Sequence, residues 1–139
     1  MRLAPLAPAD ALDLLAAVEE SRDDMSHISW APLVTDLESA ERTARALGAT
    51  GTWAVRDCDG VLVGLVGLEA VSSLACWTRT GAQGMGYASD AARMLIALQR
   101  PAHVLADPSR DNARSLSLVR RLGFRAYPDR IVHYLHRGV

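Results

Sequence analysis

The sequence predicts a mixed α/β (α+β) domain, with two helices ahead of a mostly antiparallel sheet and two more inserted among its later strands. Three observations predict it. Two segments of helical period precede any sustained β-rich run. From Thr52 onward the apolar pattern shifts, with "TWAVRDC" and "VLVGLVGLEAV" flanking Asp59-Gly60, a hairpin signal. Helical spacing then returns twice between short β-rich runs. The resulting order, β, α, α, β, β, β, α, β, α, β, β, excludes a purely parallel doubly wound sheet. With no repeats and no low-complexity linker, residues 1–139 are expected to form one domain with about four helices.

Each element has a local reason. "RLAPLA" (2–7) reads as an edge strand, where Pro5 is tolerated. Ala11, Leu14, Leu15 and Val18 recur at helical spacing, which predicts a helix over 9–22. After the loop "DDMSHISWAPLV", Thr35 and Glu38 form a capping-box pattern that opens a second helix, closed at Gly48. Asp59-Gly60 predicts a type I′ turn between two strands, and "LACWTR" (74–79) is a third. Ala88, Ala91, Ala92, Leu95 and Leu98 predict a helix that Pro101 must end. "HVLAD" is strand-like, and Leu116, Val119 and Leu122 mark a helix over 112–122 with Gly123 at its C-cap. "FRAY" and "RIVHYLH" form the last strand pair around Pro128-Asp129.

Composition narrows the chemistry. Fifteen basic and sixteen acidic residues leave a net charge of −1, and no basic block points to nucleic acid. Every basic residue except histidine is arginine, which removes Schiff-base chemistry and lysine-based phosphate binding. Cys58 and Cys76 are too few and too isolated for a zinc site or a disulfide framework, and the four histidines lack ligand spacing, so no metal is expected. Asp10 and Asp13 interrupt the N-terminal apolar stretch, and no segment reaches membrane-spanning length. The expectation is a cytoplasmic protein without membrane or nucleic-acid partners, monomeric or homodimeric.

The stretch "QGMGYASDAARML" places two glycines at the mouth of a helix. A helix N-terminus offers unpaired N–H groups and partial positive charge, suited to a phosphate. A dinucleotide fingerprint would need a third glycine where Ser89 stands, although Asp107 supplies an acidic residue at roughly the right distance. Gln83-Gly84-Met85-Gly86-Tyr87-Ala88 instead resembles the acetyl-CoA loop of the GNAT superfamily, Gln/Arg-x-x-Gly-x-Gly/Ala, at every specified position. "DNARSLSLVRRLGFR" adds a second resemblance through Asn112, Ser115, Gly123 and Phe124. "ISWAPLVTDLESAERTA" is similar to the branch that acetylates ribosomal-protein and other protein N-termini.

The resemblance implies an acyl-CoA N-acyltransferase fold with a central parallel strand pair, acetyl-CoA as cosubstrate, and attack of an amine on the thioester. It implies that Gln83, Gly84, Met85, Gly86, Tyr87 and Ala88 cradle the pyrophosphate. Trp77, Thr78 and Arg79 would run along the pantetheine arm, Asn112 would contact it, and Ser115 would lie near the thiol. The oxyanion donor would be a backbone N–H of the coenzyme strand.

The proton-transfer groups depart from the family pattern. The carboxylate this branch often carries before a Gly-Tyr-Trp stretch is missing, since the chain reads Leu74-Ala75-Cys76-Trp77. Glu69, ending "VLVGLVGLE", is the nearest substitute base, and Asp107 is second. The family's frequent tyrosine acid is Val119 here, which leaves Ser115 or water to protonate the thiolate, or coenzyme A to depart as the anion. Cys76 reads as a small core residue. Glu19, Glu20, Asp23 and Asp24, with Trp30 nearby, form an acidic run that could steer a cationic amine or be a solvated face. The acceptor is thus a protein N-terminal α-amine or a small-molecule amine. A coenzyme-binding module with lost catalysis, and more remotely a dinucleotide-binding protein, stay open as alternatives.

Overall fold

The computed structural model describes residues 1–69, 73–101, 103–106, 120–123, 125–126 and 133–136. Seven strands, β1 (Arg2–Pro5), β2 (Thr52–Arg56), β3 (Leu62–Glu69), β4 (Ser73–Thr78), β5 (His103–Ala106), β6 (Arg125–Ala126) and β7 (His133–His136), form one sheet ordered β1-β2-β3-β4-β5-β7-β6. Neighbours run antiparallel except β4 and β5, which form a central parallel pair at Ser73↔Leu105. Among the described residues the long helices are α1 (Ala11–Ser21), α2 (Leu37–Ala49) and α3 (Tyr87–Gln99). Residues 120 and 121 are also helical ahead of Gly123, which takes φ +86°. The rest of the helix expected over 112–122 lies outside the described residues.

Strand alternation splits the apolar residues between two faces. On one, Leu14 and Val18 of α1 and Ala40 and Ala44 of α2 pack with Ala54, Leu65 and Trp77 of the sheet. On the other, Ala91, Ala92 and Leu95 of α3 pack against Val55, Val63 and Val66. A register shift between Val55 and Arg56, with Val63 the extra residue on β3, is what lets Leu62 share the α1 face with Leu65 and Val63 the α3 face with Val66. Leu14, Val18 and Leu95 are fully buried, each contributing about 1.5–3 kcal/mol relative to an exposed position. The helices therefore sit on opposite sides of β3 and β4, which places two unlike surfaces against one strand.

Several local expectations are corrected. α2 is capped by Asp36 rather than Thr35: the Asp36 carboxylate accepts from Ser39 N–H at 2.8 Å, and Ser39 Oγ accepts from Asp36 N–H at 3.0 Å. The Ser39 backbone N–H first, and then its hydroxyl, hold the Asp36 carboxyl below its ordinary value. Glu38 instead pairs with Arg42 one turn on, at 3.1 Å. Gly48 does not end this helix but lies within it, where a side chain would collide with the Leu6 carbonyl. The β2–β3 turn is not type I′, because Gly60 takes positive φ (+82°) while Asp59 does not. Asp57 holds it, its N–H donating to Val61 O at 3.0 Å and its carboxylate accepting from Asp59 and Val61 N–H, both at 2.9 Å. β1 spans 2–5 rather than 2–7, and β4 begins at Ser73 and ends at Thr78.

Arg56 ties this end of the sheet to α1. It donates to Asp10 at 2.7 Å, Asp13 at 2.9 Å and Gly60 O at 2.8 Å. Burial opposes its charge, but the two carboxylates outweigh that and raise its pKa.

Candidate active site

After β4 the chain makes a 3₁₀ turn (Thr80–Ala82), passes two left-handed glycines, Gly84 (φ +80°) and Gly86 (φ +84°), and enters α3 with Gly86 as N-cap. The φ values explain both glycines, since other residues adopt this region at a cost. Asp90 N–H donates to Gly86 O at 3.0 Å, the first bond of the helix. Among the described residues, nothing accepts from the backbone N–H groups of 84–89. Six consecutive donors at a helix N-terminus are an arrangement to which an anion can bind. Asp90 is exposed and paired with Arg93 at 3.6 Å, consistent with a role toward the helix dipole.

Within this loop the expected cofactor residues play different parts. Gln83 fastens the loop to the sheet, donating from Nε2 to Thr78 O at 3.3 Å. Met85 is exposed, and Tyr87 packs its ring against the α3-side core, so the chain offers backbone at both positions. Sequence reasoning missed Ser89. Its hydroxyl is buried in the first turn of α3 and has no hydrogen-bond partner among the described residues. Buried polar groups are nearly always paired, so an orphan beside a row of unpartnered N–H groups is a candidate ligand contact. The only signal in the sequence was a residue other than glycine at the third fingerprint position.

On β4, Arg79 N–H donates to Val63 O at 2.8 Å, which sets the parity of the strand. Ala75 and Trp77, like Arg79, turn their backbone groups toward β3, whereas Leu74, Cys76 and Thr78 turn theirs to the opposite edge. The Ser73↔Leu105 register carries Cys76 and Thr78 past Ala106, the last described residue of β5. Among the described residues no strand pairs with the edge of β4 that Cys76 and Thr78 present, whereas Trp77 and Arg79 turn their backbone groups to β3. Arg79 is engaged elsewhere, donating to Glu20 at 2.8 Å and Leu62 O at 3.1 Å. Glu20 and Asp24 are not free to steer a substrate, because they hold the chain that leads into the glycine loop.

The face of β4 opposite α3 opens into a cavity of about 230 Å³. Gly67 and Ala75, directly paired across β3 and β4, leave room at its floor. The turn His27–Trp30 forms its rim, with Trp30 set edge-on to Trp77 at 5.8 Å between ring centroids. Cys76 also borders the cavity, and burial pushes its thiol up to about 12, so it stays protonated and is no nucleophile near neutral pH. Glu69 ends β3, two residues past Gly67, with Ser73 as its register partner. Asn112 and Ser115 lie outside the described residues, as do Asp107, Val119 and Phe124. No group of metal-binding side chains exists among the described residues, and none of their helices is long and apolar enough to cross a membrane.

Comparison with known proteins follows the same lines. A family model described as an acetyltransferase (GNAT) domain matches residues 1–125. No curated protein matches by sequence. Among solved structures, the microcin C7 self-immunity acetyltransferase MccE, in complex with acetyl-CoA and AMP, superposes with a TM-score of 0.82 at 13% identity, over 96% of this chain and 91% of that one. A Salmonella typhimurium acetyltransferase that modifies the N-terminal serine of ribosomal protein L7/L12 gives 0.76 at 14%, over 98% and 94%. The ribosomal-protein-alanine N-acetyltransferase of Brucella melitensis gives 0.72 at 20%, over 100% of both chains. At such identities the structural likeness is one of fold.

Proposed function

We propose, from the premise that this chain belongs to the GNAT acetyltransferase family and is an acetyl-CoA-dependent N-acetyltransferase, that its acceptor is the α-amine of a protein N-terminus entering the cavity beside β4. The observation that carries this reading is that the two candidate sites share one strand. The anion-binding loop lies at the N-terminus of α3, on one face of the sheet, and the cavity opens on the other. Both reach β4, whose edge at Cys76 and Thr78 can hold the coenzyme arm by backbone pairing. An amine in the cavity and a thioester at that edge would meet without either crossing the sheet. The acceptors named for the Salmonella and Brucella proteins support a protein N-terminus.

The residues divide the work as follows. Backbone N–H groups of Gly84 through Ser89, with the Ser89 hydroxyl, bind the diphosphate, and Gln83 holds their loop against Thr78. The outward N–H of Cys76 or Thr78 is the oxyanion donor. Glu69 takes the ammonium proton, directly or through one water. Asn112 contacts the arm, and water, or Ser115 resupplied with a proton by water, protonates the leaving thiolate. An α-amine suits this machinery, since its ordinary pKa of about 8 leaves far more neutral amine than a lysine does at about 10.4.

Blocking the cavity tests the reading. Ala75→Leu fills the floor opposite Gly67, and should raise the KM of an acceptor peptide at least about tenfold with unchanged coenzyme affinity. An unchanged acceptor KM would place the acceptor elsewhere.

A further inference from the structure

The segment between β4 and the glycine loop is held from outside the sheet. Glu20 Oε2 accepts from Arg79 Nε at 2.8 Å and from Gly81 N–H at 3.2 Å. Ser21 Oγ accepts from Thr80 N–H at 2.9 Å, and Thr80 Oγ1 donates to Asp24 at 2.7 Å. Three consecutive residues, 79 to 81, are thus tied to the last turn of α1 and the short turn that follows it. Ala82 is buried in the α3-side core, and Gln83 is bound to Thr78 O. Every residue from Arg79 to Gln83 is fixed, so the departure of the free N–H groups at 84–89 is set before the chain reaches them.

We infer that Glu20 is a positioning residue for coenzyme binding, acting through Arg79 and Gly81 rather than by contact with the coenzyme. The inference rests on the reading that residues 84–89 bind the diphosphate. A carboxylate facing an anion site would ordinarily weaken it. Here the Arg79 guanidinium neutralises that charge, and the side chain supplies geometry. Multiple backbone donors bind an anion well only when already convergent, because ordering them during binding subtracts from affinity. Glu20 therefore shows itself in coenzyme affinity and not in the chemical step. The same turn carries Arg22, which donates to Val34 O at 2.8 Å and so holds the loop bearing the cavity rim. Glu20 and Arg22 reach different loops, which lets the two effects be separated.

The test is calorimetric titration of the full chain with acetyl-CoA, beside steady-state kinetics with an acceptor peptide. Glu20→Ala should weaken acetyl-CoA about five- to twentyfold and raise its KM in step, with kcat and acceptor KM within about twofold of wild type. Glu20→Gln retains an oxygen for the Gly81 N–H and should recover at least half of that loss on a logarithmic scale. Lower thermal stability of Glu20→Ala with wild-type coenzyme affinity would make Glu20 merely structural and overturn the inference. Should Glu20→Ala fail to fold, Glu20→Asp, whose shorter side chain cannot reach both Arg79 Nε and Gly81 N–H, must weaken acetyl-CoA about threefold, and no change there overturns the inference equally. Wild-type protein that does not bind acetyl-CoA would instead overturn the reading of the glycine loop.

Discussion

Replacing Ser89 with alanine should make the free protein more stable and its coenzyme complex weaker, an opposition of signs that few substitutions produce. The side chain is buried in the first turn of α3, and its hydroxyl lacks a partner among the described residues. An unsatisfied buried hydroxyl costs about 1–3 kcal/mol, part of which alanine restores without leaving a large void. For a domain of this size, each kcal/mol moves the melting temperature by about 2–5 °C, so the unliganded variant should melt a few degrees higher. In the complex, a hydroxyl donating to a charged phosphate oxygen contributes about 1.5–3 kcal/mol, and losing it weakens acetyl-CoA about ten- to a hundredfold. Thermal melts with and without acetyl-CoA, together with calorimetry, measure both signs. A variant that melts lower and binds acetyl-CoA unchanged would refute the reasoning, for the hydroxyl would then have an internal partner and no ligand.

Two further outcomes follow from the site. Glu69→Gln keeps shape but cannot accept a proton, so turnover near pH 7 should fall at least about tenfold and partly recover at high pH, with coenzyme affinity unchanged; wild-type rates across the pH range would remove Glu69 and make Asp107→Asn the next variant. Because burial raises the Cys76 pKa to about 12, its thiolate is scarce below that pH, so iodoacetamide at pH 8 should modify exposed Cys58 and spare Cys76, as peptide mass spectrometry would show. Modification of Cys76 as fast as Cys58 would contradict the burial.

The fold was legible where chemistry is local. Apolar spacing located α1, α2 and α3, and the change of period at Thr52 located the antiparallel run. Two glycines before a helix announced the left-handed turn into α3, because backbone conformation is written in residue type there. Local signals failed where two patterns competed. Thr35–Glu38 and Asp36–Ser39 both fit a cap, and the better acceptor took it. The Asp59-Gly60 pair looked like a two-residue turn until Asp57 closed a longer one. Long-range roles left no local trace at all. Nothing near Glu20 in the sequence reveals its partnership with Arg79, and for that reason the acidic run read as a steering surface or a solvated face. The cavity at Gly67 and Ala75 likewise exists only once β3 and β4 are in register.

The central claim is acetyl transfer from acetyl-CoA to an α-amine. It is tested most directly by offering two peptides of one sequence at pH 7, one with a free N-terminus and no lysine, the other N-terminally blocked with a single lysine, and locating any added acetyl group by tandem mass spectrometry. The account predicts rapid acetylation of the free N-terminus and little of the lysine, with the gap narrowing at pH 9 as more lysine becomes neutral. A lysine preference at both pH values would contradict it.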